Sequence, residues 1–168
     1  MNKKITLLFL ILLSFYLFCQ RVSLSPEGKI FYFNSFETIA DLAGWKGINI
    51  ANFRDDVPEG GGKNSVYISG GCVVPHASWQ SAGITKGGYF KLSCRGKNLM
   101  RGGGVVLKTS SDEQHSIYIS VADSTWKLYR SSQKIFCPEG EKLIIEMNAG
   151  GFVASAMLVD LLKIERVD

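Results

Sequence analysis

Gly104–Val121 reads GVVLKTSSDEQHSIYISV, and the fold class turns on this stretch. In Ser116–Val121, Ile117, Ile119 and Val121 alternate with Ser116, Tyr118 and Ser120. That is the period of a strand with one dry face and one wet face. Gly104–Thr109 is a second β-rich run, and the polar Ser110–His115 between the two predicts a hairpin tip. Lys142–Asn148 alternates in the same way, with Leu143, Ile145 and Met147 on one face. Half-wet strands of this kind belong to antiparallel sheets packed in two layers. Outward from here the sequence offers further strands at Ile30–Phe36, Gly47–Phe53, Ser65–Ser69, Ala77–Ile84, Tyr89–Gly96, Trp126–Ser131 and Met157–Arg166. The breakers between them include Val57–Lys63 (VPEGGGK), Lys86–Gly88, Arg101–Gly104 and Cys137–Glu141. Only Thr38–Leu42 predicts a helical turn. About ten short strands at this spacing predict an all-β sandwich or barrel.

Composition agrees. The chain has 168 residues, 46% hydrophobic and 20% charged, which is globular rather than disordered. All 18 glycines follow residue 19, a richness that disfavours a helical protein. Net charge is +4, but Lys3 and Lys4 lie at the N-terminus ahead of the domain. Without them the excess is +2, with no basic block, and nucleic acid is not an expected partner.

Met1–Lys4 is positive, and Ile5–Cys19 (ITLLFLILLSFYLFC) is uncharged. Fifteen residues are short for a membrane span and right for a secretory leader. Residues 1–19 are therefore read as a signal peptide or lipoprotein leader, 20–29 as a linker and 30–168 as the domain. The protein is expected to be exported, to the cell envelope or beyond it. Cys19 closes the apolar run where a bacterial lipoprotein carries its lipid-modified cysteine, although bulky Phe18 precedes it. A cleaved leader, a lipid anchor and an uncleaved anchor stay open, the last two giving a membrane partner. Cys72, Cys94 and Cys137 remain, and export favours disulfides. Three is an odd number: one pair with a free thiol, or three buried thiols. Cys94 shares a face with Phe90 and Leu92 and reads as a buried small hydrophobe. Cys72–Cys137 is then the expected disulfide.

Several pieces, in order, resemble the carbohydrate-binding modules with a galactose-binding-like β-jelly-roll fold. They are Phe33–Trp45 (FNSFET, then AGW), Gly60–Gly71 (GGGKNSVYISGG), Lys86–Lys97 (KGGYFKLSCRGK), Trp126–Gly140 and the closing Ala156–Val167. The resemblance covers Ile30 to Val167 and implies a two-layer antiparallel jelly-roll sandwich that binds a glycan or polysaccharide. It also implies a structural calcium held by Glu37 and Asp160. Two observations bear on that site. Asp160 interrupts an apolar run and a buried carboxylate needs a partner. Leu161 stands where many members of the family carry a second Asp. The other reading of Asp160 is an acceptor of backbone N–H groups.

Catalysis finds no constellation. His76 lies in VPHASW and His115 at the hairpin tip, and no nucleophile elbow, zinc-protease motif or phosphate loop is present. Asp112, Glu113 and His115 offer a metal, but a charged tip is ordinarily just solvated. The chain is expected not to be an enzyme. Sugar binding asks for an exposed aromatic face and a few polar groups around it. Trp45 and Trp126 read as core. Trp79, between Ser78 and Gln80 and beside His76, is the exposed candidate. Tyr118 and Tyr129 are assigned to wet strand faces, with Arg95 as a further hydrogen-bonding group. The alternative to a glycan binder is an envelope-anchored structural or adhesive protein using the same fold as a protein-interaction scaffold.

Overall fold

The computed structural model describes residues 30–112, 115–150 and 154–167. The leader at 1–19, its Cys19 and the linker at 20–29 lie outside the described residues, as does Glu113. The strands are β1 (Ile30–Asn34), β2 (Phe53–Arg54), β3 (Ser65–Ser69), β4 (Ala77–Gln80), β5 (Gly88–Met100), β6 (Gly103–Thr109), β7 (Ser116–Val121), β8 (Lys127–Arg130), β9 (Ile135–Cys137), β10 (Leu143–Asn148) and β11 (Ala156–Arg166). They form two antiparallel sheets. The large sheet runs β2-β3-β11-β5-β8, with β1 also on β11 and β9 also on β5. The small sheet runs β4-β10-β6-β7. This is the expected two-layer sandwich.

Alternation does the packing. Ile117, Ile119 and Val121 of β7, Leu143, Ile145 and Met147 of β10, and Val105 and Leu107 of β6 point into the sandwich. They meet Phe90, Leu92 and Cys94 of β5 and Leu162 and Ile164 of β11 from the other side. The period-2 stripes are apolar enough to exclude water on one side only, so each sheet keeps a wet outer face. Thr38–Leu42 does make the expected turn, a short 3-10 segment over Ile39–Leu42. There Asp41 Oδ2 accepts from the Thr38 backbone N–H (2.7 Å) and hydroxyl (3.0 Å).

Three expectations are corrected. Gly47–Phe53 is not a strand: Asn49 caps a 3-10 turn at Ile50–Asn52 by accepting from the Ala51 N–H (2.8 Å), and only Phe53–Arg54 pairs. Polar caps compete with the sheet for these backbone groups. The turn expected at Cys137–Glu141 starts after Cys137, which closes β9 and pairs with Gly88 at the start of β5.

The third correction is the disulfide. Cys72, Cys94 and Cys137 are all free; Cys72 is exposed, whereas Cys94 and Cys137 are buried. Topology forbids the Cys72–Cys137 bridge. Cys137 pairs with Gly88, the first residue of β5. Cys72 follows the end of β3, where Ser69 and Met100 both flank Ala156. Gly88 and Met100 bound a 13-residue strand, about 40 Å at the usual rise. A disulfide needs Cα atoms within roughly 7 Å.

Candidate functional site

The outer face of the small sheet is built in rows. One row across it is Gln80, Ile144, Lys108 and Ser116; the next is Ser78, Glu146, Val106 and Tyr118. A third begins at Asn148 and continues through Gly104 to Ser120. Tyr118 is 60% exposed, and its ring lies over Gly104. A Cβ on Gly104 would collide with that ring, so the glycine is what lets the aromatic lie flat on the sheet. At the centre Lys108 Nζ and Glu146 Oε1 form an ion pair of 2.9 Å whose side chains are mostly shielded from water. The opposite edge carries the exposed Gln80. Three steps of about 4.8 Å across the strands and two residues along them set Tyr118 and Gln80 roughly 16 Å apart on the face. The face thus offers one apolar platform and a line of donors and acceptors, the chemistry an extended polyhydroxylated ligand requires.

The residues read from sequence divide between the two sheets. Gln80 and Tyr118 share this face. Trp79 does not: it pairs with the buried Ile145, so it points inward at the edge of the sandwich. Its ring stacks on Tyr32 at 4.0 Å and packs against the core. The expected exposed platform is therefore an edge piece of the core. His76 is engaged structurally, its Nδ1 accepting from the Ala149 N–H (3.1 Å) and its Nε2 facing the Gly71 carbonyl (3.3 Å). Tyr129 pairs with buried Cys94 and packs inward, its hydroxyl donating to Asp123 (2.7 Å). Arg95 lies on the large sheet, opposite Asp160 and Leu128. Trp45 is core as expected and donates its indole N–H to Tyr32 (2.9 Å). Trp126 instead lies half-buried, its indole N–H donating to Asp56 Oδ1 (2.8 Å). Asp56 also pairs with Lys97 at 2.6 Å, and the Lys97 ammonium holds its carboxyl below the usual value.

The second constellation is the carboxylate pair. Asp160 lies on the outer side of β11, yet it is 0% exposed because the Val57–Lys63 loop covers it. A Cβ on Gly61 would come 2.6 Å from Asp160 Oδ2, and one on Gly62 would strike the Glu37 carboxyl. The two glycines thus press loop backbone against both acids. Asp160 Oδ1 accepts from the Leu161 N–H (2.6 Å), and Glu37 Oε2 accepts from the Lys63 N–H (2.6 Å). Among the described residues Asp160 Oδ2 and Glu37 Oε1 are buried without a hydrogen-bond partner. Burial pushes the Asp160 carboxyl up to about 7; the Leu161 N–H pulls the other way, and the charge of Glu37 adds to the rise. Beside the two acids, Phe36 (φ 52°) and Leu161 (φ 47°) are both in the left-handed region, strained for bulky side chains. At Leu161 the β11–β5 register slips between Asp160 and Lys163. Two orphaned carboxylate oxygens among loop backbone are hard donors, and they fit a hard cation such as calcium. Loop carbonyls would have to complete its shell. Among the described residues no cluster of three or more His, Cys, Asp or Glu side chains is placed to hold a metal.

The sequence did not point to Lys108, Glu146 or Gly104. Lys108 and Glu146 each stand on the polar side of an alternating strand, but only the β6–β10 register brings them together.

No protein-family model and no curated protein matches the chain. Solved structures do. The CBM22-1 xylan-binding domain of Paenibacillus barcinonensis Xyn10C superposes with a TM-score of 0.58 at 15% identity, over 84% of this chain and 96% of that one. The enzymatically active domain of tailspike protein 4 of bacteriophage CBA120 gives 0.53 at 16% identity, over 85% of this chain and 22% of that one. The CBM35 of Cellvibrio japonicus Abf62 gives 0.48 at 14% identity, over 79% and 91%. The fold is the jelly-roll sandwich of carbohydrate-binding modules.

Proposed function

We propose that this domain is a non-catalytic glycan-binding module that uses the outer face of its small sheet. The observation that carries the reading is Tyr118, exposed and lying over Gly104 beside the Lys108–Glu146 pair. A pyranose ring lays its apolar face on such an aromatic while its hydroxyls exchange water for the polar row. The neighbouring fold in Paenibacillus is described as xylan-binding, so β-linked plant polysaccharides head the trial panel. The rows run the full width of the four strands, which suits a long chain better than a small molecule. Binding by one ring and a few hydrogen bonds is weak, and tethering would raise it through effective concentration.

Calcium belongs to this proposal as a structural ion. Glu37 and Asp160 would hold it, and it would neutralise two buried acids and fix the glycine loop over β11. The leader at 1–19 supports export, with Cys19 as a candidate lipid attachment point.

The test is affinity electrophoresis of the protein through gels containing xylan, β-mannan, β-galactan or β-glucan. Retardation that Tyr118→Ala abolishes supports the reading. A folded protein that no polysaccharide retards refutes it. The scaffold alternative is favoured by one observation: Ile30, Phe31 and Phe33 are exposed on β1. Pull-down of envelope proteins lost in Phe33→Ser would support that alternative.

A further inference from the structure

A groove of about 420 Å³ opens where β5 begins and the β6–β7 hairpin turns. It is separate from the Tyr118 face. One wall is apolar. Tyr89 and Phe136 are cross-strand partners on the outer side of the large sheet, with rings 5.2 Å apart and inclined at 58°. They are 40% and 53% exposed, and Pro138 flanks them. Lys134 Nζ sits 4.0 Å from the Tyr89 ring centre and leaves Phe136 as the open apolar surface. The other wall is polar. His115 Nδ1 and Asp112 Oδ2 are 2.5 Å apart, and the His115 backbone N–H donates to Asp112 Oδ1 at 3.1 Å. Thr109 also lines the groove. It is 1% exposed, and its Oγ1 has no partner among the described residues. A buried hydroxyl left unsatisfied costs on the order of 1–3 kcal/mol, so such groups are ordinarily paired.

The geometry points to a second saccharide site here, taking a single neutral pyranose ring. The volume is within the range of small-ligand pockets, at the small end. Phe136 supplies the platform for the ring's C–H face. Asp112 accepts from a sugar hydroxyl, and Thr109 exchanges its missing hydrogen bond for one to the ligand. Asp112 and Lys134 balance in charge, which suits a neutral sugar over a uronic acid. The choice of a saccharide rests on the glycan reading above; the groove and its unpaired hydroxyl do not.

Fluorine NMR separates the two sites, because the chain has six tyrosines and one marks each site. The full-length chain in detergent, labelled with 3-fluorotyrosine, is assigned with Tyr89→Phe and Tyr118→Phe. It is then titrated separately with xylohexaose and with the hexasaccharides of β-1,4-mannan and β-1,4-galactan. The expected result is a saturable shift of the Tyr89 signal by at least one of them. Thr109→Val and Phe136→Ala should each weaken that binding about tenfold and leave the Tyr118 response unchanged. Asp112→Asn, on an exposed turn, gives a variant that does not threaten the fold and should weaken it likewise. A Tyr118 shift without a Tyr89 shift overturns the groove and leaves the small-sheet face standing. No shift at either overturns both. A Tyr89 shift that none of the three substitutions alters also overturns the groove.

Discussion

Removing divalent cations should make this protein less stable as pH rises, the reverse of what ion-paired carboxylates do. The reason is Asp160. Its carboxyl is pushed up from 3.8 to about 7 by burial under the glycine loop and by the charge of Glu37. The folded protein therefore keeps a proton that the unfolded chain releases near pH 4. Between those values the unfolded state binds fewer protons, so stability falls as pH rises. The contribution is fully present below about pH 4 and is lost as pH climbs through about 7. A shift of about three pH units at 1.36 kcal/mol per unit amounts to about 4 kcal/mol in all. Roughly 3 kcal/mol of it falls between pH 5 and pH 8. For a domain of this size that is a melting-temperature drop of about 10 °C. A bound calcium would hold Asp160 ionised and cancel the drop, adding about 2.7 kcal/mol at a hundredfold excess over its dissociation constant. The assay is thermal unfolding by circular dichroism at pH 5 and 8, in chelator and in millimolar calcium. Asp160→Asn serves as reference for every other titrating group, and it should show neither the excess slope nor the calcium shift. The reasoning fails if chelated wild type and Asp160→Asn share one pH profile, or if calcium raises both melting temperatures equally.

Other expectations follow from the same structure. Tyr118→Ala should cost about 1–2 kcal/mol of glycan affinity, roughly 5- to 30-fold by isothermal titration calorimetry, with an unchanged melting temperature because the ring is mostly exposed. Gly104→Ala should match it in binding loss, since the new methyl lifts the same ring off the sheet; unaltered affinity would separate Gly104 from the site. Trp79→Ala should instead lower stability by about 3 kcal/mol in urea denaturation, because the ring it removes is stacked on Tyr32 and packed on the core. Thiol titration of residues 20–168 should find one fast-reacting cysteine, Cys72, in the native protein and three after unfolding. Burial pushes Cys94 up to about 12 and Cys137 up to about 11, so neither is a ready nucleophile.

Alternation is a local property, and local properties are legible. Ser116–Val121 and Ser65–Ser69 were read to the residue because each side chain's face is fixed by its neighbours two positions away. The helical turn expected at Thr38–Leu42 is the 3-10 segment Ile39–Leu42, where Thr38 and Asp41 make a local capping box. Glu37 and Asp160 were named by resemblance, and the fold brings both against one glycine loop.

What the sequence could not decide is which sheet a strand joins and at which end it lies. Trp79 looked exposed between Ser78 and Gln80, but its fate depended on facing Ile145 across β10. Cys72 and Cys137 looked like partners by elimination, and β5 holds them at opposite ends. Tyr129 looked wet until its pairing with Cys94 turned it inward. Lys108 and Glu146 are 38 positions apart and meet only through the β6–β10 register. The sequence by itself determined most of the strands and turns and the two-layer class, because these follow from a two-residue period and from Gly and Pro backbone limits. The tertiary structure alone decided which side chains share a face, because register and sheet order are set by the packing of the whole core.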